Sequence, residues 1–291
     1  MRALASSHPR AALTASRVLQ GVASFGFAAA AAGGLAAATI TLAVGSVIGI
    51  VGALAARSLG TLPRLLRDRT VVAASLVGAV ALLLGAQAYQ LTSVATVSFL
   101  LLLVPLFAGL LAPLYGEHLG RRELLGLAIS LVGIGCFARP SPAFATEWTG
   151  IVLALLTGLA LGIVWHQSRS LAQRGAEPWA MTAAQMVVPG VVGLVVVVAM
   201  LGRLPGGPAL AWLVVSGVGY AGNTVLRLTG LRLLSASKAA LIAPVSALTS
   251  TALAFVLLDQ VPDLLTCIGA VVIVLGVVVS QWPSSDPSSR L

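Results

Sequence analysis

Residues 94–114, with the sequence VATVSFLLLLVPLFAGLLAPL, contain no charged side chain and are long enough to cross the hydrocarbon core of a bilayer as one helix. They form one of ten such stretches in a chain of 291 residues that is 58% hydrophobic and only 9% charged. A soluble domain of this length does not need so much apolar surface. Because backbone polar groups in lipid must be satisfied within the helix, the sequence predicts an all-α membrane protein.

The ten predicted transmembrane helices divide into two sets of five. They are residues 17–34, 36–56, 71–91, 94–114, 123–138, 149–168, 179–201, 209–228, 236–258 and 264–281. The first set lies in a predicted domain of residues 16–138 and the second in one of residues 148–281. A Ser/Pro-rich tail, residues 282–291, is expected to be disordered in the cytoplasm. Only Gly33, Gly34 and Leu35 are available for a turn between the first two spans, so a single broken helix is the alternative there.

The distribution of basic residues predicts the orientation of the chain. Ten spans bring both termini to the same side of the membrane. If that side is the cytoplasm, only Arg139 and Arg203 of the 17 Lys and Arg residues fall outside. Such an excess of inside charge is typical of bacterial inner-membrane, or plasma-membrane, proteins. The net charge of +9 is therefore a topology signal and a surface for anionic lipids, and it does not indicate nucleic-acid binding.

An internal repeat relates the fourth and fifth spans to the ninth and tenth. One inserted residue aligns Ser93, Ala95, Glu117, Gly126 and Gly133 with Ser235, Ser237, Asp259, Gly269 and Gly276. Because each half has an odd number of spans, the second half enters the membrane inverted relative to the first. Inverted repeats of this kind are a recurrent architecture of secondary transporters.

These residues resemble the EamA-type repeat of the drug/metabolite transporter (DMT) superfamily. The resemblance rests on a small-residue helix start at Ser93, the mid-helix element Val104-Pro105-Leu106-Phe107, the pair Gly116-Glu117 and the glycines of the next helix. The second half is similar, although its proline, Pro244, lies one turn before the expected position. The resemblance implies ten helices around a central cavity, with the fifth and tenth helices at the periphery, and a transport function.

Polar side chains inside the spans are the candidates for a substrate site, because lipid disfavours them unless they face a partner or a wet cavity. Spans six, seven and eight carry such side chains at a similar depth. The predicted substrate-binding residues are Trp165, His166, Gln185, Tyr220, Asn223 and Arg227. Interhelical hydrogen bonds that hold the bundle together are the alternative role for each of them.

Two prolines are candidates for moving parts. Pro105 and Pro244 remove helix hydrogen bonds in the fourth and ninth spans and are predicted to act as paired hinges, with static bends as the alternative. His166 is the only histidine within a span and is the candidate for proton coupling. Uncoupled transport down the gradient of the substrate is the other possibility.

The absence of acidic residues within the spans bears on the substrate. With no buried carboxylate to attract a cation, we expect export of a small neutral or zwitterionic metabolite, amino acid or drug by alternating access. No metal-ligand spacing, phosphate loop or catalytic constellation is present, so neither an enzyme nor a cofactor is expected. A membrane scaffold or lipid-handling protein without transport activity is the alternative. The sequence does not indicate an oligomeric state.

The charge distribution leads to a prediction about accessibility. Cysteines introduced in the segments 64–69 and 169–174 should be shielded from impermeant thiol reagents in intact cells. Cysteines near Ser141 and Gly206 should react, because they lie on the outer face in the predicted topology. Labelling of the first pair in intact cells would reverse the orientation.

Overall fold

The chain folds into α-helices throughout the part that the structure describes. This structure is a computed structural model, and it describes residues 9–115, 121–136, 144–201, 205–231 and 244–281. The helices are α1 (Pro9–Ala30), α2 (Gly34–Ala55), α3 (Leu62–Leu65), α4 (Arg69–Leu91), α5 (Val94–Leu100), α6 (Val104–Leu111), α7 (Arg121–Gly135), α8 (Phe144–Gln173), α9 (Pro178–Leu201), α10 (Gly207–Leu231), α11 (Pro244–Leu258) and α12 (Leu264–Gln281). The 3-10 turn Leu101–Leu103 joins α5 to α6 without a break.

Capping residues explain where several helices begin and end. The Asp68 carboxylate accepts a hydrogen bond from the Thr70 backbone N–H at 2.8 Å and starts α4. Ser93 Oγ accepts one from the Thr96 N–H at 3.2 Å and starts α5. Asp259, directly after α11, has a φ of 52°, the left-handed conformation that commonly terminates a helix.

The first helix begins earlier than the sequence predicts. It was expected from residue 17, whereas α1 starts at Pro9 and ends at Ala30. A turn with positive φ at Ala31 and Gly33 then separates it from α2, so the two are distinct helices. Arg17 therefore lies within α1 and is only 7% exposed. In a sequence, an arginine near the start of an apolar segment resembles a charge that flanks a transmembrane helix. The start of the first helix was therefore predicted too late.

The outer surface of the bundle is apolar. Six segments are long and apolar enough to cross a membrane: α2, α4, the continuous segment from α5 to α6 (the α5–α6 rod), α8, α9 and α10. Shorter apolar stretches lie in α7, α11 and α12. Large aliphatic side chains on the outer faces are exposed, for example Val132 at 68%, Val195 at 65% and Val256 at 69%. A surface of this kind is stable in lipid and would aggregate in water. The chain is thus a multi-pass membrane protein.

The helices pack in a regular set of pairs. Helix α1 packs against α10, and α4 against α8. The pairs α2 with α9, α5 with α11, and α7 with α12 also pack against each other. Small residues allow close approach in several of these pairs. A Cβ atom at Gly49 would lie 2.7 Å from the backbone nitrogen of Ala183, and one at Gly162 would lie 3.0 Å from that of Ala108.

Pro189 interrupts the hydrogen bonding of α9, and a neighbouring helix compensates. A proline has no N–H, so the carbonyl of Gln185, four residues earlier, loses its helical donor. Ser75 Oγ, on α4, donates to that carbonyl at 2.6 Å. The buried Ser75 side chain thus satisfies a backbone acceptor in α9 and ties the two helices together.

This compensation can be tested with a double-mutant cycle. Ser75→Ala should destabilise the folded protein by about 1 to 2 kcal/mol, because a buried carbonyl loses its donor. In a Pro189→Ala background the same substitution should cost less, since the N–H of the new alanine can bond to the Gln185 carbonyl. Thermal unfolding in detergent measures both effects. Thr149→Ala is a suitable control, because the Thr149 hydroxyl bonds only within its own helix, and strictly additive effects would contradict the prediction.

Candidate functional site

A cavity of about 60 Å³ lies in the centre of the bundle, between the two halves of the chain. Its walls come from α1, α4, the α5–α6 rod, α8, α10 and α11. Four of the six residues predicted for the substrate site line it: Trp165, Tyr220, Asn223 and Arg227. The helical spacing of the last three brings them to one face of α10, as the sequence predicts.

Asn223 connects the cavity wall to α1. Its side-chain Oδ1 accepts a hydrogen bond from Ser16 Oγ at 2.6 Å, and its backbone carbonyl accepts from the same hydroxyl at 3.1 Å. Both residues are buried. Asn223 therefore lines the cavity and also fixes the packing of α1 against α10.

The other two predicted residues, His166 and Gln185, do not line the cavity. His166 Nε2 lies 2.8 Å from the backbone oxygen of Ala108 and joins α8 to α6. Consecutive residues of a helix point about 100° apart, so His166 faces a different neighbour from Trp165. Gln185 lies on α9, which packs against α2 and α4, and its buried Nε2 has no hydrogen-bond partner.

The predicted hinge at Pro105 lies in the cavity wall. Pro105 cannot donate to the carbonyl of Leu101, and the helix tightens there into the 3-10 turn Leu101–Leu103. Turns of this kind within a helix are frequent at functional hinges. Pro244 is the first residue of α11, and residues 232–243 before it lie outside the described part of the chain, so its predicted hinge is not tested.

Arg17 is a wall residue that the sequence analysis assigned to the cytoplasmic flank. Its guanidinium carbon lies 5.3 Å from the centre of the Trp165 ring, in a cation–π arrangement. Its Nη1 donates to Gln20 Oε1 at 2.8 Å. Arg17 is also close enough to Arg227 for the two positive charges to repel each other. The cavity therefore has a cationic side formed by α1 and α10.

A network of hydroxyl groups forms another part of the wall. The Tyr89 hydroxyl lies 3.2 Å from Ser98 Oγ, and Ser250 Oγ donates to Ser98 Oγ at 2.7 Å. Ser24, on α1, lies near the Tyr89 hydroxyl and lines the same cavity. The sequence does not single out these residues, because Ser and Tyr occur widely in apolar helices. In addition, Ser98 and Ser250 are far apart in the chain.

A second cavity, of about 210 Å³, lies beyond this network. Thr96 and Thr251 line it, next to Ser98 and Ser250, which line the central cavity. Its walls also include Glu147, Gln260 and Asp263. The hydrogen bond between Ser98 and Ser250 therefore lies in the partition between the two cavities.

The lining of the central cavity is rich in hydrogen-bonding groups. It offers hydroxyls, two amides, two guanidinium groups and an indole ring, and no carboxylate among the described residues. Among the described residues, no group of three or more His, Cys, Asp and Glu side chains could hold a metal ion. The cavity thus has recognition groups for a small molecule.

The comparisons with known proteins bear on the same region. Residues 148–282 match the EamA-like transporter family. The matched region is similar to that family. It includes α9 to α12 and nearly all of α8, and so contains the four predicted residues that line the cavity. The family consists of transporters of the DMT superfamily.

Structural similarity extends beyond this EamA-like domain. A crystal structure of another protein superposes with a TM-score of 0.67 over 94% of this chain and 96% of that chain. The two sequences are 20% identical, so the likeness concerns the fold alone. No curated protein matches the chain significantly.

Proposed function

We propose that the protein is a secondary transporter that exports a small metabolite, amino acid or drug across the plasma membrane by alternating access. The observation that carries this proposal is the central cavity, which is separated from a second cavity by a region that contains the hydrogen-bonded hydroxyls of Ser98 and Ser250. In the predicted topology the second cavity opens to the outside, and both termini are cytoplasmic. A membrane scaffold would need neither cavity.

The pattern of helix packing supports ten spans in two inverted repeats. In the proposed repeat the helices of the two halves correspond in chain order: α1 to α8, α2 to α9, α4 to α10, α5–α6 to α11, and α7 to α12. Most contacts between helices then occur in matched pairs. The contact of α1 with α10 corresponds to that of α8 with α4, and α1 with α11 corresponds to α8 with α6. The pairs α2–α9, α5–α11 and α7–α12 each correspond to themselves. A pseudo-twofold axis in the membrane plane produces this pattern, and exchange of the two half-structures opens opposite sides in turn.

The size of the cavity favours a small substrate. Typical pockets for drug-sized ligands have roughly 300 to 1,000 Å³, whereas the central cavity has about 60 Å³. A metabolite with few heavy atoms fits better than a drug, which would require the wall helices to separate. His166 contacts a backbone carbonyl outside the cavity lining, so we propose transport driven by the gradient of the substrate.

Cross-linking the partition tests alternating access. In a variant without Cys136 and Cys267, Ser98→Cys and Ser250→Cys should form a disulfide on oxidation, because the two native oxygens lie 2.7 Å apart. The oxidised protein in liposomes should lose most counterflow of labelled alanine, lactate or lactamide, and reduction should restore it. Each single-cysteine variant is the matched control. Full flux through a cross-linked protein, or no flux above empty liposomes for any probe before oxidation, would contradict the proposal.

A second variant tests the hinge at Pro105. Pro105→Ala should restore a regular helix in place of the turn Leu101–Leu103 and slow transport roughly three- to tenfold, equivalent to about 1 kcal/mol in the barrier. Thermal stability should stay equal or rise, because a helix hydrogen bond is regained. Pro113→Ala, at an exposed position just after the end of α6, is the control and should transport normally. Equal rates for the two variants would make Pro105 a static bend.

A further inference from the structure

Two arginines with no acidic counterpart line the central cavity. Arg17 and Arg227 are each only 7% exposed. Among the described residues the lining includes no Asp or Glu, and neither guanidinium pairs with a carboxylate. Burying a cation is costly unless an anion or several hydrogen bonds compensate for the lost water. Such a pair in an apolar bundle requires an explanation beyond packing.

The partners that the protein provides do not neutralise these charges. Arg17 has the Trp165 ring and the Gln20 side-chain oxygen, both of which are uncharged. Arg227 lies near the uncharged Tyr220 hydroxyl, and its buried Nε has no hydrogen-bond partner among the described residues. Each arginine also raises the energy of the other through repulsion. Because Arg227 lines the cavity, its uncompensated guanidinium charge is placed to pair with a ligand there.

We infer that the central cavity binds the oxyanion of a small organic acid between Arg17 and Arg227, and that the transported substrate carries a net negative charge. A guanidinium donates charge-assisted, often bidentate, hydrogen bonds to carboxylate and phosphate oxygens. The apolar part of the substrate contacts Leu161 and the ring of Trp165, and its hydroxyls reach Tyr89 and Ser250.

This inference rests on the proposed transport function and sharpens its substrate class. A neutral molecule would leave both guanidinium charges uncompensated. A zwitterion would compensate one of them with its carboxylate, but its ammonium group would lie in a cationic cavity without an acidic partner. A cation would meet repulsion from both arginines. The net anion is therefore the form that the electrostatics of the cavity favour most.

Binding to the purified full-length protein tests the inference. Isothermal titration calorimetry would compare lactate with its neutral analogue lactamide, with zwitterionic alanine and with methyl phosphate. Lactate or methyl phosphate should bind at least about tenfold more tightly than lactamide and alanine, the scale of one charge-assisted hydrogen bond. The comparison of lactate with methyl phosphate shows whether the cavity prefers a carboxylate or a phosphate. Equal binding of lactamide and both anions, or no binding of either anion, would overturn the inference.

Substitutions separate a binding role from a structural one. Arg227→Met and Arg17→Met should each weaken binding of the preferred anion roughly 10- to 100-fold, and Arg227→Lys should retain part of it. Without ligand, Arg227→Met should unfold at the same or a higher temperature, because an uncompensated buried charge is removed. Arg174→Met is the matched control, since Arg174 is exposed near Asp68, and its affinity should be unchanged.

The outcomes distinguish this inference from the transport proposal. Anion binding that depends on Arg17 and Arg227, without flux in liposomes, would refute transport alone. Flux of lactamide at the rate of lactate would refute the anion preference and leave transport intact. An Arg227→Met protein that binds the anion normally, or that unfolds at a much lower temperature while its folded fraction binds normally, would make Arg227 a structural residue.

Discussion

Within the hydrocarbon core of a bilayer, each backbone N–H and C=O group has to find its partner inside the protein. Helices meet this requirement along most of their length, so exceptions are confined to a few positions. At Pro189 the carbonyl of Gln185 is satisfied by Ser75 from α4. At Pro105 the rod tightens into a 3-10 turn instead. At the first position the carbonyl is satisfied by a second helix, whereas at the second the Leu101 carbonyl accepts from the Val104 N–H of the same helical segment, in the cavity wall. This difference favours Pro105 over Pro189 as a point of motion.

The partition between the two cavities is suited to repeated opening. It depends on hydroxyl groups, whose hydrogen bonds contribute on the order of 1 kcal/mol each to stability. Ser98 and Ser250 come from α5 and α11, which correspond to each other in the proposed repeat. Two conformations interconvert readily only when their free energies differ by a few kcal/mol. A partition made of large interlocking apolar side chains would add a greater barrier than two serines do.

The sequence predicts the helices well, because uninterrupted apolar stretches in lipid leave few alternatives. It predicts part of the site for a similar reason: Tyr220, Asn223 and Arg227 share a helical face, and one contact with the cavity orients all three. The sequence does not predict which side chains face the cavity where this depends on the helix that packs beside them. His166 and Trp165 are adjacent, but one faces Ala108 and the other the cavity.

The remaining wall residues depend on tertiary contacts that hydropathy does not encode. Ser98 meets Ser250 across the interface of the two halves, and no local pattern indicates that contact. Arg17 shows a different limit. A basic residue near a helix start signals orientation in most membrane proteins, so its burial beside Trp165 becomes visible only once α1 is seen to begin at Pro9.

The proposed charge of the substrate also bears on how the proposed export would be driven. Over a complete transport cycle Arg17 and Arg227 return to their starting positions, so the net charge moved across the membrane is that of the substrate. A membrane potential of 100 mV contributes roughly 2.3 kcal/mol for each elementary charge. With the inside negative, that term favours outward movement of an anion. An anion exporter can therefore work without a coupling ion, which agrees with a central cavity whose lining contains neither an Asp or Glu carboxylate nor the histidine expected to carry a proton.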